Sequence, residues 1–110
     1  MKALLIAAVL LAGCASMPSM RAKAPDVTLE SAKTARQVGE CIAQGWQPFG
    51  PMINQGGTAT GYTVSLPVIG LGVQALADMV TTPSGSTVRV WYRLPYGNAR
   101  YTEVVRQCAD

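Results

Sequence analysis

The chain reads as an α+β domain, an antiparallel β-meander of three to four strands with an N-terminal and a C-terminal helix packed on one face. Three observations predict this. Apolar residues recur at helical spacing near both ends, they alternate with polar residues in the middle, and turns rich in Gly, Pro and Ser separate the segments. The 110 residues, 49% hydrophobic and 14% charged, suit one compact body and exclude a two-domain enzyme or a disordered polyelectrolyte.

In chain order, the first helix starts at residues 34–37, Thr-Ala-Arg-Gln, which have the S/T-x-x-E/Q form of a capping box. Ala35, Val38 and Ile42 follow at helical spacing with Cys41 on the same flank, and Gly45 is placed to terminate the helix. Residues 48–54 form at best a weak edge strand, because Pro48 and Pro51 each lack a backbone donor. Tyr62, Val64 and Leu66 alternate with Thr63 and Ser65, giving a strand with one dry face. Val73, Leu76 and Val80 suit either a strand or a short helix over residues 72–80. The tight turn at Thr82, Pro83, Ser84 and Gly85 favours a strand over 74–81, hairpinned to the next one. That next strand, residues 86–94, alternates Val88, Val90, Tyr92 and Leu94 with Thr87, Arg89, Trp91 and Arg93. Asn98 is placed to cap the last helix, where Tyr101, Val104, Val105 and Cys108 recur at i, i+3, i+4 and i+7. The glycines within 55–57 and 70–72 read as turn residues.

Residues 1–14, MKALLIAAVLLAGC, carry one charge at Lys2, ten apolar residues from Ala3 to Ala12, and small residues before a cysteine. Ten residues at about 1.5 Å each cover roughly half the hydrocarbon thickness of a bilayer, so this segment cannot span it. Residues 1–13 have the layout of a secretory signal peptide, and Leu11, Ala12, Gly13 and Cys14 resemble the lipobox of bacterial lipoproteins at all four positions. The resemblance implies cleavage before Cys14, a diacylglycerol on its thiol, and usually acylation of the new amino end. Two or more such chains hold a protein stably on a bilayer where one does not. Ala15 follows, in place of the Asp that retains such proteins at the inner membrane, so the resemblance implies the periplasmic side of the outer membrane. The competing reading is an ordinary cleaved signal with an unrelated cysteine, or an uncleaved short anchor. Beyond the leader the chain only generally resembles small proteobacterial lipoproteins of unassigned function.

Residues 15–27, ASMPSMRAKAPDV, have two prolines and no apolar periodicity. With Cys14 they are expected to form an extended tether, spanning up to about 3.3–3.6 Å per residue. The domain proper is expected over 28–110, roughly 83 residues, a size that profits from a covalent staple. Once the resemblance gives Cys14 to lipid, Cys41 and Cys108 remain in a compartment that oxidises thiols. Both sit on the inward faces of helices expected to pack together. Pairing them closes a loop of about 68 residues and stabilises by roughly 4 kcal/mol. Two free buried thiols, or one cysteine joined to another protein, are the alternatives.

The sequence contains no histidine, which removes the commonest general base, the Ser-His and Cys-His nucleophile pairs and the usual zinc ligands. Asp26, Glu30, Glu40, Asp78, Glu103 and Asp110 show no pairing suited to acid and base work. No glycine-rich run is followed by the lysine and hydroxyl of a phosphate loop. The protein is therefore expected not to be an enzyme, with no catalytic residue, metal site or cofactor. Its net charge of +3, or 3 − 1 = +2 once Lys2 leaves with the leader, is too small and scattered to indicate nucleic acid.

The candidate partner-binding residues are Arg89, Trp91 and Arg93. They should project from one face of their strand, away from the helices, with nothing else in the sequence to cover that face. Two guanidiniums flanking an indole can grip an acidic partner or a lipid headgroup; a solvated face with a partly covered Trp is the plainer reading. In the uncharged stretch 41–77, Trp46, Phe49, Met52 and Ile53 either seal the end of the sheet or form a second docking patch. The expected function is that of an outer-membrane-anchored lipoprotein with a small periplasmic protein-interaction domain, an assembly or accessory component of an envelope complex such as a secretion or conjugation apparatus. Its expected partners are the membrane, through the lipid on Cys14, and another envelope protein. The alternative is a periplasmic lysozyme inhibitor, a class that size, anchor and single disulfide resemble, although its members are mostly β.

Overall fold

The computed structural model describes residues 16–50 and 52–110, so the leader, Cys14 and Ala15 lie outside the described residues. The elements are α1 (Met17–Arg21), β1 (Val27–Ser31), α2 (Ala35–Trp46), a 3-10 turn (Gln47–Phe49), β2 (Asn54–Thr58), β3 (Gly61–Val68), β4 (Gly72–Thr82), β5 (Gly85–Tyr92) and α3 (Ala99–Ala109). All strands join one antiparallel sheet in the order β1-β5-β4-β3-β2. The class is α+β as expected, with five strands in place of three to four.

The extra strands are both at edges, where side-chain pattern counts for least. β1 turns Val27 and Leu29 toward the core and Thr28 and Glu30 outward, a period too short to stand out over five residues. β2, with the sequence NQGGT, has no apolar side chain. It is a strand because the free edge of β3 supplies backbone partners from Asn54 opposite Ser65 to Thr58 opposite Gly61. The edge strand thus lies at 54–58 and not 48–54, residues 47–49 form the 3-10 turn, and Gly56 and Gly57 belong to a strand and not to a turn. Residues 72–82 are strand. β5 ends at Tyr92, two residues earlier than its alternation implied, and Leu94 falls in the loop that follows.

α2 opens on the reciprocal capping box: the Gln37 N–H donates to Thr34 Oγ1 at 3.1 Å and the Thr34 N–H donates to Gln37 Oε1 at 3.0 Å. Gly45 does not end this helix, which runs to Trp46. A Cβ there would collide with Val104 of α3, so the glycine serves close helix approach. Asn98 precedes α3 but does not cap it with its side chain; its amide donates to the Leu94 carbonyl at 2.8 Å. α2 and α3 cover one face of the sheet, burying Val38, Ile42, Trp46 and Val105 against Val64, Leu66, Met79, Val88 and Val90. Cys41 and Cys108 form a disulfide between these helices, with Cα atoms 5.6 Å apart.

The other face is covered too. Residues 16–27 are not an extended tether: α1 starts on a capping box between Ser16 and Ser19, with a proline in its first turn. It buries Met20 against Leu76 and Trp91, with Val73 packed beside them. A five-residue helix has no independent stability, so its packing on the sheet is what forms it. That explains why the sequence around one methionine showed no period.

Candidate functional site

Arg89, Trp91 and Arg93 lie on the sheet face away from α2 and α3, as strand alternation requires. The premise that nothing covers this face does not hold. Trp91 is only 6% exposed, lies under Met20, and donates its Nε1–H to the Lys23 carbonyl at 2.9 Å. Arg89 is exposed and stands opposite Thr28 on one side and Asp78 on the other. Arg93 is half-buried, and its Nε donates to Gln74 Oε1 at 3.2 Å. The two arginines therefore flank Trp91 without stacking on it. Among the described residues the guanidinium over aromatic rings is that of Arg100, 4.9 Å from the Phe49 centroid and 5.2 Å from that of Tyr101.

The strongest polar contact on this face escaped sequence reasoning. Arg21 of α1 donates from Nε to Asp78 Oδ2 at 2.7 Å and from Nη2 to Oδ1 at 2.9 Å. Thr63 completes the group, its Oγ1 donating to Asp78 Oδ1 at 2.8 Å and accepting from Arg21 Nη2 at 3.2 Å. The hydrogen bond to Asp78 raises the guanidinium pKa further, partly opposed by burial, so Arg21 stays charged throughout the ordinary pH range. One signal was legible: Asp78 is the sole carboxylate between Glu40 and Glu103 and sits in an otherwise uncharged strand among Leu76, Ala77, Met79 and Val80, so it needs a partner. Arg89 is its cross-strand neighbour, yet Arg21 takes the carboxylate and leaves Arg89 facing solvent. Beside Trp91, a cleft of about 310 Å³ is lined in part by Lys23, Asp26, Tyr92 and Arg93. Such a cleft can hold an anionic or hydrogen-bonding group through Arg93 and Lys23, while Arg89 stands outside it on the same face.

A second unusual surface lies where β3 turns into β4. Ile69 is 85% exposed and Leu71 52%. The turn is held by the Leu71 N–H donating to the Val68 carbonyl at 3.0 Å and by φ values of 81° at Gly70 and 85° at Gly72, which glycine adopts without strain. Phe49, Met52, Pro67, Val68 and Ile69 line a shallow, largely apolar cleft of about 260 Å³ at this end. Of the four apolar residues singled out in the uncharged stretch, Trp46 is core, Phe49 and Ile53 pack against the core, and Met52 stays exposed. Three of them seal the sheet and one belongs to the outside.

Among the described residues no three His, Cys, Asp or Glu side chains gather to hold a metal, and no helix is long and apolar enough to cross a membrane. Fold and site define a small disulfide-linked α+β domain with helices on both faces of one sheet. No protein-family model, no curated protein and no solved structure matches this chain.

Proposed function

We propose that this protein is a lipoprotein held through Cys14 on the periplasmic side of the outer membrane, and that its small domain binds another envelope protein as an assembly or accessory component. The observation that carries the reading is the bridge between Cys41 and Cys108. It takes two of the three cysteines into a pairing that persists in oxidising compartments. The third closes the lipobox-like segment Leu11 to Cys14. The partner-binding surface is assigned to the arginine face: Arg89 is exposed, Arg93 borders the cleft beside Trp91, and both suit an acidic segment of the partner.

Mass spectrometry of the protein extracted from membranes should give a chain beginning at Cys14 with the added mass of its acyl groups. Globomycin should block that processing. A mature chain of unmodified mass removes the anchor. A photocrosslinker at Thr28, the cross-strand neighbour of Arg89, should capture one envelope protein in intact cells. Arg89→Ala combined with Arg93→Ala should abolish that capture at an unchanged melting temperature; capture that survives both changes removes the surface. Trp91 is left in place because its indole holds α1, so replacing it would confound binding with stability.

A further inference from the structure

We propose that the tip formed by Ile69, Gly70 and Leu71, with Met52 beside it, is seated in the interface of a phospholipid bilayer. This rests on the reading that Cys14 carries lipid. Hairpin tips are ordinarily built from Gly, Asn, Asp, Ser and Pro, and the turns at the opposite end of the sheet, around Ala59-Thr60 and Pro83-Ser84, contain no large apolar residue. Here two aliphatic side chains project into solvent from a turn whose positive-φ positions are occupied by Gly70 and Gly72. Tyr96, 70% exposed in the loop after β5, lies at the same end, because Tyr92 pairs with Ala75 close to the β3–β4 turn. An aliphatic pair with a tyrosine suits the boundary between acyl chains and headgroups.

The length of the leash supplies the occupant. α1 docks on the sheet, so the segment between Cys14 and the domain is far shorter than an extended tether over 15–27 would be. Two residues of chain reach at most about 7 Å, so covalent geometry alone keeps the lipid attachment point close to Ser16, the cap of the docked helix. Met20 belongs to the cluster that includes Val73, and Val73 pairs with Pro67 across the hairpin whose turn is Ile69, Gly70 and Leu71. The attachment point and the apolar tip are thus each joined by a short stretch of chain to one contact. A bilayer that takes the acyl chains of Cys14 is within reach of Ile69 and Leu71. Charge agrees with this placement. Arg100 lies over Phe49, which lines the cleft shared with Ile69. It can meet lipid phosphates. The carboxylate at this end, Asp26, accepts from the Tyr92 N–H at 2.8 Å.

The test uses the full chain, purified with its lipid and reconstituted into phosphatidylethanolamine–phosphatidylglycerol vesicles with brominated acyl chains. The native indoles, Trp46 and Trp91, are buried and give a constant background. In Ile69→Trp the added emission should shift to the blue and be quenched at least threefold more strongly by bromolipid than in Thr60→Trp, at the opposite end. Equal or absent quenching in the two variants, with the protein floating with the vesicles, overturns the bilayer seat and leaves the anchor standing. A protein that does not float with vesicles removes the anchor and the seat with it. If neither bromolipid nor aqueous iodide reaches the tryptophan of Ile69→Trp, a second copy of the chain covers the tip, and the bilayer seat is overturned.

Discussion

The two faces of the sheet are covered by unequal means. On one, α2 and α3 bury a continuous apolar layer from Val38 to Val105, with Trp46 at 0% exposure and a disulfide tying the helices together. On the other, a five-residue helix contributes one buried side chain, Met20, and the rest of the contact is polar, through Arg21, Asp78 and Thr63. The first cover is large enough to decide whether the sheet exists. The second is small enough to open while the sheet survives, which makes it a local unit of low stability. Each cover has its own reporter, because the chain has two tryptophans, Trp46 at the end of α2, buried against α3 and the core, and Trp91 under α1.

The largest test of this inequality is the bridge. Replacing Cys41 and Cys108 together by Ala frees a loop whose closure contributes roughly 4 kcal/mol in the chain-entropy account. Thermal unfolding followed at Trp46 and at Trp91 should then move down together, because α2 and α3 hold the sheet on which both faces depend. If only the Trp91 transition moved, the helical face would not be the cooperative unit.

Next come two apolar truncations, one per face. Ile42→Ala empties a fully buried site and should lower global stability by about 2–5 kcal/mol. Met20→Ala should cost at most about 2 kcal/mol, at the low end of that range, since a five-residue helix can settle onto the sheet and close the space left. The decisive difference is spectroscopic. Met20→Ala should redden the emission of Trp91 and expose it to iodide while Trp46 is unchanged. Global unfolding equal to that of Ile42→Ala would mean that α1 is part of the core and not a detachable cover.

This inequality also decided what could be read from the sequence. α2 was legible because a capping box opens apolar residues at helical spacing, and α3 because Tyr101, Val104, Val105 and Cys108 recur at i, i+3, i+4 and i+7. β3 and β5 were legible because one dry face imposes alternation, and the turn at 83–84 implied the hairpin of β4 with β5. β2 was placed too early because its identity lies in backbone bonds to β3, which leave no mark on NQGGT. α1 was read as tether because Met17, Met20 and Arg21 within five residues are too short a run to show a period. Alternation correctly put Arg89, Trp91 and Arg93 on one face, but it says nothing about what comes back in the chain to lie on that face. Arg21 reaches Asp78 across a separation of 57 residues, and no local rule sees such a pair.

The smallest effect concerns that pair, and it separates stability from position. Arg21 and Asp78 are paired through two hydrogen bonds, but their side chains keep 36% and 21% exposure. Solvent screening then holds the coupling to about 1 kcal/mol or less. A double-mutant cycle with Arg21→Met and Asp78→Asn should return a coupling of that size, falling in high salt. The consequence for position is larger than for stability. When this contact and Met20 are both removed, α1 keeps only the bond from the Trp91 Nε1–H to the Lys23 carbonyl, and its release lengthens the leash between Cys14 and β1 to the whole of 15–26. In vesicles, Arg21→Met with Met20→Ala should therefore weaken bromolipid quenching of the tryptophan added by Ile69→Trp, read as the difference from the same double variant without it because Trp91 is uncovered in both, while flotation is unchanged. Quenching that persists would show that the tip finds the bilayer by its own apolar surface and that α1 only shields Trp91.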